Sequence, residues 1–177
     1  PAIKSYNGSM WRKISGGGAV RIATGLMAGF CVLAPLLHRS EADVSILTTS
    51  RDTSIQSDHH DRSNGSGPNV FSGRTGSHGL RRALLNFDIF SGVPQDSIVT
   101  SAVFRLYMNR TVFGAADFTL HRLLADGGEA GSSNPSGDGA PAQAGDATWA
   151  NTFYSTGTWA SLGADFSVST TAVQSVS

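Results

Sequence analysis

The strongest constraint on the fold is a period-two alternation of side chains in residues 80–89. The apolar row there consists of Ala83, Leu85, Phe87 and Ile89, and the alternate, more polar row of Arg82, Leu84, Asn86 and Asp88. Because successive side chains of a strand point to opposite faces of a sheet, this spacing predicts a strand with one apolar, inward face. Residues 99–110 repeat the pattern, with an inward row of Ala102, Phe104, Leu106 and Met108. The period does not fit an amphipathic helix in either segment.

Several shorter strands are predicted along the rest of the chain, at residues 44–47, 53–56, 69–73, 117–124, 149–154 and 167–173. The 21 glycines and 6 prolines favour many turns over long helices,. This organisation predicts an all-β fold, a β-sandwich of antiparallel strands. Residues 125–147 interrupt the strands with a long Gly-, Ser-, Pro- and Asp-rich segment, for which a functional loop and a disordered connection are both open.

The first 42 residues have the organisation of a targeting segment. Met10 begins a short basic stretch that includes Arg12 and Lys13, an uncharged run follows at residues 22–37, and Ser40-Glu41-Ala42 places small residues at the positions a signal peptidase requires,. The uncharged run is shorter than the ~20 apolar residues of a membrane span. We therefore expect a cleaved signal peptide and no stable span after cleavage, with an uncleaved anchor as the alternative.

These features predict three parts of the chain. Residues 1–9 are an upstream extension outside the fold, residues 10–42 are the signal peptide, and residues 43–177 are the mature β-sandwich domain. The mature domain is expected to be secreted or attached to the cell surface. Its length suits one ordinary domain.

Charge and cysteine content exclude several classes of partner. The 13 basic and 13 acidic side chains balance, and no basic stripe is present that could neutralise a nucleic-acid backbone, so no nucleic acid is expected,. Cys31, the one cysteine, lies in the uncharged run, so the mature domain is predicted to fold without disulfides and without thiol chemistry,.

A loop rich in oxygen ligands is the only candidate for a metal site. Its candidate ligands are Asp52, Asp58, Asp61 and Asn64, whose hard oxygens suit calcium better than zinc,. A solvated turn without a metal explains the same residues. No nucleophile elbow or recognisable catalytic constellation occurs elsewhere, so we predict that the protein is not an enzyme and needs no cofactor beyond a possible structural calcium.

Aromatic residues near the C-terminus suggest a sugar-binding surface. Trp149, Tyr154 and Trp159 stand among short polar side chains, and such rings can stack on the apolar face of a sugar,. The alternative is that the tryptophans belong to the core. Arg82 could bind an acidic sugar through its guanidinium fork, or pair internally with a carboxylate such as Asp88. Tyr107 is a further candidate on the exposed face of its strand.

An ordered series of motifs runs through residues 43–177. The motifs are Asn64-Gly65-Ser66-Gly67, Phe71-Ser72-Gly73-Arg74-Thr75-Gly76, Arg81-Arg82-Ala83-Leu84-Leu85-Asn86-Phe87-Asp88-Ile89, Val93-Pro94, Ser101-Ala102, Leu120-His121-Arg122 and Gly145-Asp146-Ala147-Thr148-Trp149. This series resembles the DNRLRE domain, a secreted bacterial and archaeal module grouped with carbohydrate-binding modules and related to the disaggregatase-associated repeats. The resemblance implies a jelly-roll β-sandwich that binds polysaccharide and is part of a larger protein. Ala125-Asp126-Gly127-Gly128-Glu129 lacks the aromatic residue that relatives carry there. The sequence ends before the family's closing strands, so we expect a C-terminally truncated domain.

These observations lead to one main functional hypothesis and two alternatives. The main hypothesis is a non-catalytic extracellular module that recognises polysaccharide or cell-wall glycan by aromatic stacking. The first alternative is a structural or adhesive module of a surface protein with no sugar ligand. The second is an accessory domain of a polysaccharide-degrading enzyme.

Overall fold

The computed structural model describes residues 2–4, 43–111 and 114–176 of the chain. The predicted signal peptide, residues 10–42, lies outside the described residues. The chain divides into two compact units, Gly8–Ser45 and a larger unit that combines Pro1–Asn7 with Ile46–Ser177. In the smaller unit, the described residues 43–45 are exposed and form no strand. All the elements described below belong to the larger unit.

Ten strands and one short helix occur among the described residues. They are β1 (Ala2–Lys4), β2 (Thr49–Gln56), β3 (Arg62–Ser63), β4 (Val70–Phe71), β5 (Gly73–Arg74), β6 (Leu80–Phe87), α1 (Ile89–Gly92), β7 (Tyr107–Arg110), β8 (Ala116–Leu123), β9 (Ala140–Pro141) and β10 (Phe166–Val176). Every strand pair is antiparallel. The predicted all-β class is therefore confirmed. No helix in these residues has the length and apolar character needed to cross a bilayer.

The strands form four small sheets. Their orders are β4-β1-β7, β10-β8, β2-β6-β5 and β3-β9. In the first of these sheets, β1 lies between β4 and β7 and is antiparallel to both. A short extended segment can add to a sheet wherever a neighbouring edge offers unpaired backbone groups.

The β2–β6 pair organises the core. Ile55 lies opposite Arg82, and Thr53 lies opposite Leu84; residues opposite each other share a face of the sheet. The buried cluster on this face is Ile55, Ala147, Trp149, Trp159 and Ala164, with Leu80, Leu84, Leu123 and Ala125 packed against it.

This core reverses the face assignment made from the alternation in residues 80–89. Leu84, predicted to point outward, packs against the buried cluster. Ala83, Leu85 and Phe87 are only half-buried, and Ile89 is exposed. The reason is that the aromatic side chains of residues 149–166 cover the other side of the strand, a tertiary packing effect that period alone does not reveal.

The second alternating segment does not form the predicted strand. Residues 98–106 have no strand pairing, Phe104 is 40% exposed, and its ring meets Phe87 edge-on at 5.9 Å between centroids. Only β7, at the end of the segment, is paired, and its partner is β1. An alternating segment forms a strand only where a neighbouring strand provides hydrogen-bond partners for its backbone N–H and C=O groups. The prediction for residues 99–106 is therefore wrong.

Two further strand predictions are also wrong. Residues 44–47 form no strand, and the chain becomes extended only at Thr49, where β2 begins. Residues 149–154 form turns, with a single bridge between Phe153 and Gly157. Among the described residues, neither segment forms a strand ladder with a neighbour.

Asp88 ends β6 and starts α1. Its side chain accepts a hydrogen bond from the Ser91 backbone N–H at 3.1 Å, and Val93 closes the turn by donating to the Ile89 carbonyl at 2.9 Å. A side-chain acceptor at this position satisfies an N–H that the helix leaves unpaired. Asp88 is therefore a helix cap and makes no ion pair with Arg82.

Candidate functional site

Trp149 and Trp159 belong to the core. They are 7% and 6% exposed, and the Trp159 indole N–H donates to the Thr148 carbonyl at 2.9 Å. A ring that stacks on a sugar must present one face to water, and neither ring does so. The structure therefore favours the core interpretation that the sequence left open for these two residues.

The segment 125–147 is tied to the core by buried polar side chains. The Asp146 carboxylate accepts hydrogen bonds from the backbone N–H groups of Ala130, at 2.6 Å, and Gln143, at 2.8 Å. The Ser132 hydroxyl accepts from the Gly65 N–H at 3.1 Å. Of the two possibilities that the sequence left open for this segment, disorder is wrong, since the segment has fixed partners on both sides.

The two tyrosines predicted as sugar contacts remain partly accessible. Tyr107, on β7, is 63% exposed, whereas Tyr154 is half-buried and its backbone N–H donates to the Asp146 carbonyl at 2.6 Å. Tyr107 is thus the predicted aromatic contact with the most open ring.

Arg82 lies against aromatic rings. Its guanidinium carbon is 4.8 Å from the centroid of Trp149 and 4.7 Å from that of Phe166, and Nη1 donates to the Gly163 carbonyl. Gly163 has a φ of +89°, and a Cβ there would lie 2.7 Å from the Trp149 ring. Only glycine fits both the backbone conformation and the close contact at this position.

The four predicted calcium ligands are not brought together. Asp58 forms an ion pair with Arg81, with 2.5 Å between Oδ1 and Nη1. Asn64 is buried. Its side-chain N–H donates to the Asn69 carbonyl, and its Oδ1 accepts from the Asn134 backbone N–H. Asp52 lies at the edge of a different cavity, and Asp61 is exposed. Within residues 43–111 and 114–176, no three His, Cys, Asp or Glu side chains are placed to share a metal ion.

A groove lies between the start of β2, the end of β6 and residues 123–129. It has a volume of about 300 Å³. Its polar wall is formed by Arg51, Asp52, Asn86, Asp126 and Glu129, and its apolar wall by Leu84, Leu85, Leu123 and Leu124. We call this site the polar groove.

Hydrogen bonds and an ion pair fix the polar side of the groove. Arg51 bonds Asp126 through Nη2 at 2.9 Å and the Gly127 carbonyl through Nη1 at 3.0 Å. The Asp52 backbone N–H donates to Oε2 of Glu129. The segment 126–129 is therefore held on β2 by side chains rather than by a strand ladder.

The two carboxyl groups next to Arg51 have raised pKa values. Burial raises the pKa of Asp52, and the hydrogen bond from the Thr49 hydroxyl opposes this shift. Desolvation raises the pKa of Glu129; the Asp52 N–H and Arg51 oppose the shift, while the charges of Asp52 and Asp146 add to it. Perturbed carboxyl groups in a concave site are typical of binding sites.

Replacing Asp52 with Asn is expected to stabilise the protein at neutral pH and not in acid. The folded state holds the Asp52 proton more tightly than the unfolded state, so wild-type stability falls as pH rises from about 3.9 through the raised folded pKa,. Thermal unfolding should give D52N a higher Tm than wild type at pH 7 and an equal Tm near pH 3. A Tm difference that is independent of pH would contradict this assignment.

No protein-family model, curated protein or solved structure matches this chain.

The polar groove was missed by the sequence analysis. Arg51 and Asn86 received no binding role, and residues 125–129 entered only as part of the long segment 125–147 and for lacking an aromatic residue. The available signal was the pair of acids that flanks Gly127-Gly128. Gly128 is buried and a Cβ there would overlap the Gly145 carbonyl oxygen, so the two glycines let this acidic turn approach the core.

Proposed function

We propose that the chain is a non-catalytic extracellular module that binds polysaccharide, with the polar groove as its main contact. The proposed architecture is the jelly-roll sandwich of the DNRLRE domain that the sequence resembles. The proposed partner is a cell-wall or secreted glycan, and the module acts as part of a larger protein. Trp149 and Trp159 do not stack on the glycan in this proposal, because both rings are buried.

The single observation that supports this function best is the composition of the groove walls. Sugar hydroxyls both donate and accept hydrogen bonds, and the groove offers Arg51 as a donor, Asp126 and Glu129 as acceptors, and Asn86 as both,. Its leucine wall can contact the apolar face of a sugar ring. The volume of about 300 Å³ lies at the small end of ligand sites,, which suits a short stretch of a glycan chain.

The test is affinity electrophoresis of the full chain through gels that contain neutral or acidic polysaccharides. The Glu129→Gln variant should bind at least about tenfold more weakly, because a hydrogen bond to a charged group contributes about 1.5–3 kcal/mol. Asp61→Asn, which also removes one carboxylate but lies on the exposed surface outside the groove, should bind like wild type. Each gel is run with calcium and with a chelator to test the possible calcium requirement.

Two results would reject the proposed function. The first is that wild type is not retarded by any of the polysaccharides, with or without calcium. The second is that E129Q and D61N are retarded as strongly as wild type, which would place binding outside the groove.

A structural or adhesive module is the second candidate. It is supported by the burial of both tryptophans and by exposed apolar side chains, among them Phe90, Ile98 and Val168. Exposed apolar residues are suited to contact another protein. Absence of glycan binding together with concentration-dependent self-association in sedimentation would favour this candidate.

A further inference from the structure

The three arginines of β2 and β6 differ in their partners. Arg51 pairs with Asp126 at 2.9 Å, and Arg81 pairs with Asp58 at 2.5 Å. Arg82 has no carboxylate oxygen within 4.0 Å in the part of the chain that the structure describes. Its hydrogen bond goes to a neutral acceptor, the Gly163 carbonyl.

The surroundings of Arg82 hold its guanidinium in place without neutralising its charge. The Trp149 and Phe166 rings lie within 5 Å of the guanidinium carbon, at 4.8 and 4.7 Å, and attract the cation through their electron-rich faces. Phe166 is itself held by His121, whose ring centroid is 5.3 Å away. Burial lowers the pKa of Arg82, as expected for a cation that has lost water without gaining an anion.

We propose that Arg82 is the anion subsite of the module and binds the carboxylate of a uronic acid in an acidic polysaccharide. This inference rests on the proposed function. A guanidinium has five N–H donors in a planar fork that matches a carboxylate, and only Nη1 of Arg82 has a hydrogen-bond acceptor among the described residues. The remaining donors supply the two parallel bonds of a bidentate contact.

Arg82 lies on the same strand as two residues of the polar groove. Arg82, Leu84 and Asn86 follow each other on one face of the strand, and Leu84 and Asn86 line the polar groove. At about 3.3 Å per residue, the four-residue separation places the Cα of Arg82 roughly 13 Å from that of Asn86. The proposed carboxylate contact at Arg82 is therefore separate from the hydroxyl contacts in the groove.

The first experiment uses sodium glucuronate as the probe and the full chain as the protein. Trp149 reports binding through its fluorescence because its ring lies 4.8 Å from the Arg82 guanidinium. Glucuronate should change the emission, and glucose at equal ionic strength should not. Sodium sulfate and an acidic peptide of glutamates are the competing anions, and both should bind more weakly than glucuronate. Equal binding of either competitor would overturn the uronic-acid assignment.

The second experiment separates the guanidinium fork from its charge. Arg82→Met should lose the glucuronate response, and Arg82→Lys, which keeps the charge but not the fork, should bind at least about tenfold more weakly. Arg122→Met removes an exposed arginine of β8 and should bind like wild type. If R82M fails to fold, R82K still tests the proposal, and wild-type affinity of a folded R82K would overturn it.

Gel retardation distinguishes failure of this inference from failure of the proposed function. Binding to neutral polysaccharides with no preference for polygalacturonate removes the anion subsite and leaves the proposed function. An Arg82-dependent glucuronate response without retardation by any polysaccharide supports the anion subsite and removes the polysaccharide function.

Discussion

Replacing Trp159 with alanine is expected to destabilise the fold by about 3–5 kcal/mol, the usual loss for a large aromatic side chain in a core. Trp159 is 6% exposed and packs in the buried cluster with Ile55 and Trp149. The cavity would lie where several loops meet, and these have no strand ladder to hold them. Chemical denaturation followed by circular dichroism should show a lower unfolding midpoint or a chain that is unfolded in water.

Two variants control this experiment. Trp159→Phe keeps a ring in the core and loses the hydrogen bond to the Thr148 carbonyl, so it should cost about 1–3 kcal/mol through the unpaired acceptor and the smaller ring. Phe90→Ala removes an aromatic side chain that is 95% exposed and should have little effect. If W159A unfolded at the wild-type midpoint, Trp159 would not be a core residue and a stacking role would regain support.

Replacing Asp58 with Asn is expected to destabilise the protein by about 3 kcal/mol. Arg81 is 5% exposed and Asp58 is 33% exposed. Removing one partner leaves the other charge buried, which typically costs about 3–5 kcal/mol. We take the lower figure because Asp58 is partly open to water, which screens the pair. Asp138→Asn is the matched control, since its carboxylate is 3.8 Å from Arg81 and 70% exposed; it should change stability by no more than about 0.5 kcal/mol.

The effect of Asp58→Asn should depend on pH. The hydrogen bond from Arg81 lowers the pKa of Asp58. The folded state therefore binds the Asp58 proton less tightly than the unfolded state. The stabilisation that the Asp58–Arg81 pair contributes is complete above about pH 4, and it is lost as the pH falls through the pKa of Asp58 in the folded state. Denaturation of wild type and D58N at pH 7 and pH 2 should give a large difference that shrinks in acid. A constant difference would show that the variant acts through packing and not through charge.

Local sequence signals identified the strands that pair with a long partner strand, namely β6 with β2 and β8 with β10. The alternation in residues 80–89 predicted β6, which pairs with β2 over almost its whole length. The same pattern in residues 99–106 failed because no described strand lies beside it, and period two describes side-chain direction, not the presence of a neighbour. The pattern also did not reveal which face of β6 points inward, because that depends on packing against residues 149–166, which are distant in sequence.

The candidate site was predictable only in part. Arg82 was selected for the chemistry of its side chain, and the structure adds the rings of Trp149 and Phe166 around it. The tryptophans are ambiguous in sequence because burial and stacking both favour large flat rings. The polar groove depends on the contact between β2 and residues 126–129, and its formation requires tertiary structure that no local pattern encodes.

The distribution of buried side chains has a consequence for how the molecule opens. Neither β8 nor β10 contains a fully buried residue, and most of β10 is exposed, whereas β2 ends in four consecutive buried positions. Segments with few buried contacts unfold locally at a lower free energy than the core. We therefore expect the β8–β10 pair to open as a separate foldon, with amide protons that exchange with solvent while the β2–β6 ladder stays closed.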